Sequence, residues 1–200
     1  MISSHRVMFS VCAIVLLCLT SLSHSAPLAC ETLVRPLDQL DPHHLEGRWA
    51  MVAGSLSDLS LMERLASRDS ATFSFSSNTS ETYTIFSRSA HVENKCYYSS
   101  ENTTLKGNKF TFDNGSINMT FIHTSCHDCI VVSCVAESGK RHHFYLFSRR
   151  RQLEQKEMEE FSSQVQCLDM PPPVVMDPTN ELCPEQTASD PATQTEEKTH

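Results

Sequence analysis

Between residues 48 and 148, apolar and polar side chains alternate in short runs separated by turn-forming residues. A two-residue period is what a strand shows when one of its faces is buried. The runs are 48–54, 71–77, 82–89, 95–101, 108–113, 117–124, 129–137 and 141–148. Turn signals stand between them at Ser77-Asn78, Lys106-Gly107-Asn108, Asp113-Asn114-Gly115, His127-Asp128 and Ser138-Gly139. Short strands at hairpin spacing predict an all-β fold, an eight-stranded antiparallel up-and-down barrel. The period then changes. Over 150–168 the apolar residues Leu153, Met158, Phe161, Val165 and Leu168 recur at near-helical spacing with charges between them, which predicts one amphipathic helix packed on the barrel. Pro171-Pro172-Pro173 ends it.

The first run opens on Glu46-Gly47-Arg48-Trp49. Gly47 frees the chain to turn, and alternation places Trp49, the only tryptophan, on one face with Met51 and Ala53. One large flat ring can floor a small barrel, whose interior is about wide enough for side chains or one small ligand. Ahead of it, 30–44 reads as an extended lead-in punctuated by Pro36 and Pro42. Behind it, 55–70 carries Leu56, Leu59, Leu61, Met62 and Leu65, enough for one or two helical turns folded over a barrel mouth. Residues 174–183 read as extended, and 184–200, rich in Gln, Thr, Glu and Pro, as a disordered acidic tail.

Residues 1–25 have the form of a secretory signal: His5 and Arg6, then an apolar run over 7–22, then Ser23-His24-Ser25 as a small-residue cleavage site. The apolar run is shorter than a bilayer span of roughly 20 residues requires. The expected domain is 26–183. The formal charge is −8, and losing Arg6 makes the mature chain more acidic still, which argues against nucleic acid or an anionic membrane as partner. Beyond Cys12 and Cys18 of the leader lie Cys30, Cys96, Cys126, Cys129, Cys134, Cys167 and Cys183, an odd set that in an exported chain reads as disulfides with one thiol left over. Asn78, Asn102, Asn114 and Asn118 begin Asn-x-Ser/Thr sites, so a glycosylated surface is expected.

The combination of leader, Gly47-x-Trp49, strands, late helix and the cysteine after it resembles the lipocalins. Within them the chain is similar to the alpha-1-acid glycoprotein and apolipoprotein M branch, which includes the fish plasma proteins that bind saxitoxin and tetrodotoxin. The spacing from Gly47 through Trp49 to Cys96 resembles the former. Ser125-Cys126, Phe144 to Arg149, and Glu159-Glu160-Phe161 followed by Cys167-Leu168-Asp169 resemble the latter. The resemblance implies disulfides Cys30–Cys167 and Cys96–Cys183. In apolipoprotein M the counterpart of Cys126 pairs with a cysteine early in the helix, where this chain has Lys156-Glu157-Met158. Cys129, across the His127-Asp128 turn, is then the expected partner of Cys126. Cys134 is too far along the same strand to pair with Cys129, since five residues of strand span roughly 16 Å, and is the candidate free thiol.

The resemblance also implies a calyx lined by Met51, Phe73, Phe75, Phe86, Arg88 and Tyr98, continued by Phe110, Phe112, His143, Tyr145 and Phe147, with Gly47 and Trp49 structural. The same rings could equally fill a core, and Arg88 could equally lie at the rim. Apolipoprotein M holds a lysophospholipid phosphate with arginines, whereas 96–101 carry none here and His143 stands in place of another. Cys126-His127-Asp128-Cys129 with His123 could suggest zinc, but a second pair of ligands at proper spacing is missing. Arg149-Arg150-Arg151 reads as a solvated run at the helix start. No catalytic residue, enzyme activity, metal or cofactor is expected, although a thiol isomerase using Cys134 stands as a third alternative. The expected function is a secreted carrier that transports or sequesters a small hydrophobic or amphipathic, lipid-like ligand. Alternatives are a toxin- or drug-sequestering plasma protein, and an acute-phase immunomodulatory glycoprotein acting through its surface and glycans. Lipoprotein particles are a further candidate partner; no integral membrane segment is expected in the mature chain.

Overall fold

The computed structural model describes residues 29–77, 84–106, 108–112, 116–136, 138–139 and 141–186. The leader, Asn78, Asn114, Gly107, Gly115 and the tail beyond residue 186 lie outside the described residues. The strands are β1 (Gly47–Leu56), β2 (Ser70–Ser77), β3 (Thr84–Val92), β4 (Lys95–Lys106), β5 (Lys109–Phe112), β6 (Ile117–Ile122), β7 (Cys129–Ala136) and β8 (His142–Ser148). Each pairs antiparallel with the next, and β1 pairs with both β2 and β8, which closes the barrel. Two helices flank β1: α1 (Pro42–Leu45) before it and α2 (Leu59–Ala66) after it. Helix α3 (Gln155–Cys167) follows the barrel, and the short β9 (Val174–Val175) pairs with β1 at Ala53 and Gly54, beyond the last β1–β2 pair.

Several boundaries differ from expectation for local reasons. The lead-in is not wholly extended: 29–33 make a helical turn, and Pro42 opens α1, whose N-cap Asp41 accepts a hydrogen bond from the His43 amide. Proline suits the first helical position, where its missing N–H would have no partner anyway. β3 and β4 run on to a two-residue turn at Glu93 and Asn94, both with positive φ, the geometry that joins twisted hairpin strands. Helix α3 starts at Gln155 because Glu154 caps it, its carboxylate and that of Glu157 bonding reciprocally to the backbone.

One departure changes which residues meet. Met51 pairs with Phe147 but Ala53 pairs with Leu146, so a β-bulge falls between them. The extra residue reverses the alternation. Trp49 and Met51 face inward, whereas Ala53 joins Val52 on the outer face against α3, and Gly54 and Leu56 turn inward in its place.

The apolar residues form two clusters, one inside the barrel and one between its wall and α3. Phe161, Val165, Met158, Leu153 and Leu168 supply the helix side of the second, as its spacing predicted, and Phe144 stacks on Phe161 at 5.4 Å. Buried Gln164 donates to the carbonyls of Leu33 and His123, which ties α3 to the lead-in. Among the described residues the disulfides are Cys30–Cys167, Cys96–Cys183 and Cys126–Cys129, with Cys134 free.

Candidate ligand site

The two ends of the interior differ in what lines them. At the α1 end, Trp49 is fully buried, its indole N–H donating to the Leu45 carbonyl at 2.9 Å. The Arg149 guanidinium lies 4.1 Å over its ring and donates to the His44 and Glu46 carbonyls. Gly47 makes the approach possible: its φ is +87°, and a Cβ there would stand 3.3 Å from Arg149 Nη1. Above this floor the phenylalanines pack on one another. Phe73 meets Phe75, Phe86 and Phe147, and Phe75 meets Phe110 at 4.8 Å; Phe112 closes on Phe86 at 4.9 Å. All are buried with Met51 in one cluster. These rings form a solid aromatic floor held by mutual edge and offset contacts.

Toward α2 the inward positions change character. Register places Met119 opposite Cys134, Cys134 opposite His143, and Val132 opposite Tyr145, and directly opposed residues share a face. Cys134 and Tyr145 keep some accessible surface, yet both are strongly desolvated: burial pushes the thiol up to about 12 and raises the Tyr145 phenol as well. Both pack against the edge of the interior cluster. The Tyr145 hydroxyl lies 3.4 Å from His143 Nδ1. The His143 imidazole is held below its ordinary range, first by burial and then by the charges of Arg141 and His142. At neutral pH it is therefore an uncharged group rather than a cation.

Helix α2 lies over this half. Asp58 caps it, accepting from the amides of Ser60 and Leu61, and Leu65 is buried while Leu61 and Met62 pack partly onto the interior cluster. Gly54 makes room: a Cβ there would lie 2.7 Å from Tyr145 Cδ1 and 3.0 Å from Leu65 Cδ2. Arg88 faces inward by register, opposite Phe73 and Ser99, but at the rim. It is paired with Glu101 at 3.0 Å, bonded to Ser99 Oγ and placed 5.5 Å over Phe86. Its charge and that of half-buried Arg68 reach Tyr145.

Of the positions expected to face inward, all but one do. Tyr98 pairs with Ser89, which pairs with outward-facing Thr72, so Tyr98 is on the outer wall; its hydroxyl donates to the Pro184 carbonyl. Tyr97, Ser99 and Glu101 take the inward positions of β4. The outer wall beside Tyr98 is covered by residues 177–185: Ser70 Oγ donates to the Glu181 carbonyl, Arg48 to that of Cys183, and Cys96 is bonded to Cys183. Residues 184 and 185, read as disordered tail, are therefore in contact with the barrel.

Comparison with known proteins decides the family. The ApoM domain family model matches residues 14–186. This chain belongs to the ApoM family. Among solved structures it is similar to two lipocalins. The siderocalin Ex-FABP, described as functioning through dual ligand specificities, superposes with a TM-score of 0.60 at 16% identity, covering 74% of this chain and 99% of that one. Siderocalin Q83, described as revealing a dual ligand binding mode, superposes with a TM-score of 0.61 at 13% identity, covering 72% and 95%. No curated protein sequence matches.

In this ApoM-family barrel the arginine run stays partly in solvent but is also bonded into the structure. Arg149 closes the floor, Arg150 bridges Asp128 and Glu157, and Arg151 donates to the carbonyls of Asp177 and Asn180. The Arg150 guanidinium holds the Asp128 carboxyl below its usual range. Cys126 and Cys129 are joined to each other, which leaves no zinc-binding thiolates at that turn. Gly54, Arg68 and Met119 also belong to the site region but carried no sequence signal of their own.

Proposed function

We propose that this protein is a secreted carrier that sequesters a small, mainly apolar or amphipathic ligand in the α2-side half of its barrel. The supporting observation is that Cys134 and Tyr145 face inward, pack against the interior cluster, and still have accessible surface. The phenylalanine floor removes the ligand's apolar part from water, and burial of that area drives binding at about 25 cal/mol per Å². Arg88, Arg68 and the Tyr145–His143 pair meet its polar end at the rim. Arg88 is already neutralised by Glu101, so a ligand anion would have to compete for it. Helix α2 covers the mouth, with Leu65 inside and Leu59 69% exposed on its outer side. The leader and the glycosylation sites fit export; Asn102 and Asn118 are exposed on the outer faces of β4 and β6.

Native mass spectrometry of the deglycosylated, secreted protein tests this reading, followed by identification of whatever leaves on denaturation. A stoichiometric amphipath is the expected result. An empty barrel that also takes up none of a panel of lipids and amphipathic drugs refutes the carrier, and favours a glycoprotein acting through its surface.

A further inference from the structure

We propose that the inward row Met119–Cys134–His143 is a binding site for a soft monovalent d10 metal ion of the Cu(I) type, held between the Cys134 sulfur and the His143 imidazole with thioether sulfurs beside them. The proposal rests on this row and not on the carrier reading. The three residues sit at matching register on β6, β7 and β8, on the inward face, where opposed Cβ atoms stand about 4.5–5.5 Å apart. The next position in the row is Leu56 of β1, and the Met62 sulfur from α2 lies 3.1 Å from the Leu56 amide nitrogen. A thiol, an imidazole and a thioether therefore share one inward row across three strands, with a second thioether from α2 beside the row's end.

A second observation points to a missing partner. His143 Nε2 is shut off from solvent and has no hydrogen-bond partner among the described residues. An unsatisfied buried nitrogen is costly in a folded protein. A metal ion accepting the Nε2 lone pair would supply that partner.

The charge balance selects the ion. Thiol and thioether donors favour soft ions, and no carboxylate stands in the row to hold a hard one. Binding breaks the Cys134 S–H bond, the electron pair stays on sulfur to form the metal–sulfur bond, and the proton leaves to solvent. A monovalent ion replaces that proton with no change in net charge and no redox step. A divalent ion would leave an added positive charge on a row that carries no carboxylate to balance it.

Silver(I) is a suitable air-stable probe. The secreted protein, its disulfides intact, is titrated with silver nitrate in chloride-free buffer while bound metal is read by native mass spectrometry and released protons by a pH indicator. The expected result is one Ag⁺ and one proton per chain, with Cys134 protected from alkylation on subsequent denaturation. Cys134→Ser should lose the site, and Met119→Leu and His143→Gln should each weaken it at least about tenfold. Met119→Leu conserves volume, and thermal melts of every variant confirm that folded proteins are being compared. Failure of the wild type to take up silver overturns the proposal. So does uptake that survives Cys134→Ser, or an affinity unaffected by both Met119→Leu and His143→Gln, which would mark a lone thiol.

Discussion

Adding a single methyl group at Gly54 should loosen the packing of α2 on the barrel. The Cβ of an alanine would meet Tyr145 Cδ1 at 2.7 Å and Leu65 Cδ2 at 3.0 Å, where carbon atoms ordinarily rest about 3.5–4.0 Å apart. Neither neighbour yields easily. Tyr145 is packed against Phe147, and Leu65, 2% exposed, is the buried anchor of α2. Overpacking of this kind costs about 1–3 kcal/mol, which in a domain of this size lowers the melting temperature by roughly 2–12 °C. Gly139→Ala is the control, because nothing lies within 4 Å of its Cβ and only its φ of +67° is strained, a cost of about 1 kcal/mol. Thermal melts followed by near-ultraviolet circular dichroism would compare both variants with Gly54→Ala/Leu65→Ala. If the methyl clashes with Leu65, the double variant should lose less than the sum of the single losses. A Gly54→Ala protein with unchanged melting temperature and aromatic spectrum, or strictly additive losses, would refute the contact as the reason for this glycine.

Acid should destabilise the fold through its two adjacent histidines. Burial lowers both His142 and His143, so the unfolded chain binds more protons than the folded one below the ordinary imidazole value of 6.5, and stability falls as pH drops through that value toward the folded ones. Urea midpoints measured across this range should decline less steeply in His142→Gln/His143→Gln, and an identical decline would count against the assignment. Arg149→Ala should cost about 1–3 kcal/mol by removing the cation over Trp49 and its carbonyl bonds. It should also red-shift the fluorescence of the single tryptophan; Arg149→Lys, without the planar fork, should recover only part of the loss.

Much of the architecture was legible because it is local. Two-residue alternation, turn residues and the switch to helical spacing each arise from a few neighbouring residues, and together they identified the barrel, its strand order and α3. The phenylalanine pairs Phe73 with Phe75 and Phe110 with Phe112 had to share faces, so the floor followed from parity. The odd cysteine count announced a leftover thiol; that it is Cys134 followed only once the lipocalin resemblance implied Cys30–Cys167 and Cys96–Cys183 and strand geometry barred Cys134 from Cys129.

What the tertiary structure alone decided depends on register and on contacts between distant segments. A bulge after Met51 moved Ala53 outward and brought Gly54 under Tyr145, and no local pattern announces one extra residue in a strand. The choice between the adjacent Tyr97 and Tyr98 turned on pairing with β3, because a shift of one residue exchanges the two faces. The arginine run resembled a solvated stretch until Trp49, Asp128, Glu157 and residues 177–180 were placed against it. Alternation marks a side chain as inward, but whether it meets another ring or open space depends on what the opposite wall contributes. Only the assembled barrel therefore separated the solid aromatic floor from the partly accessible inward positions beneath α2.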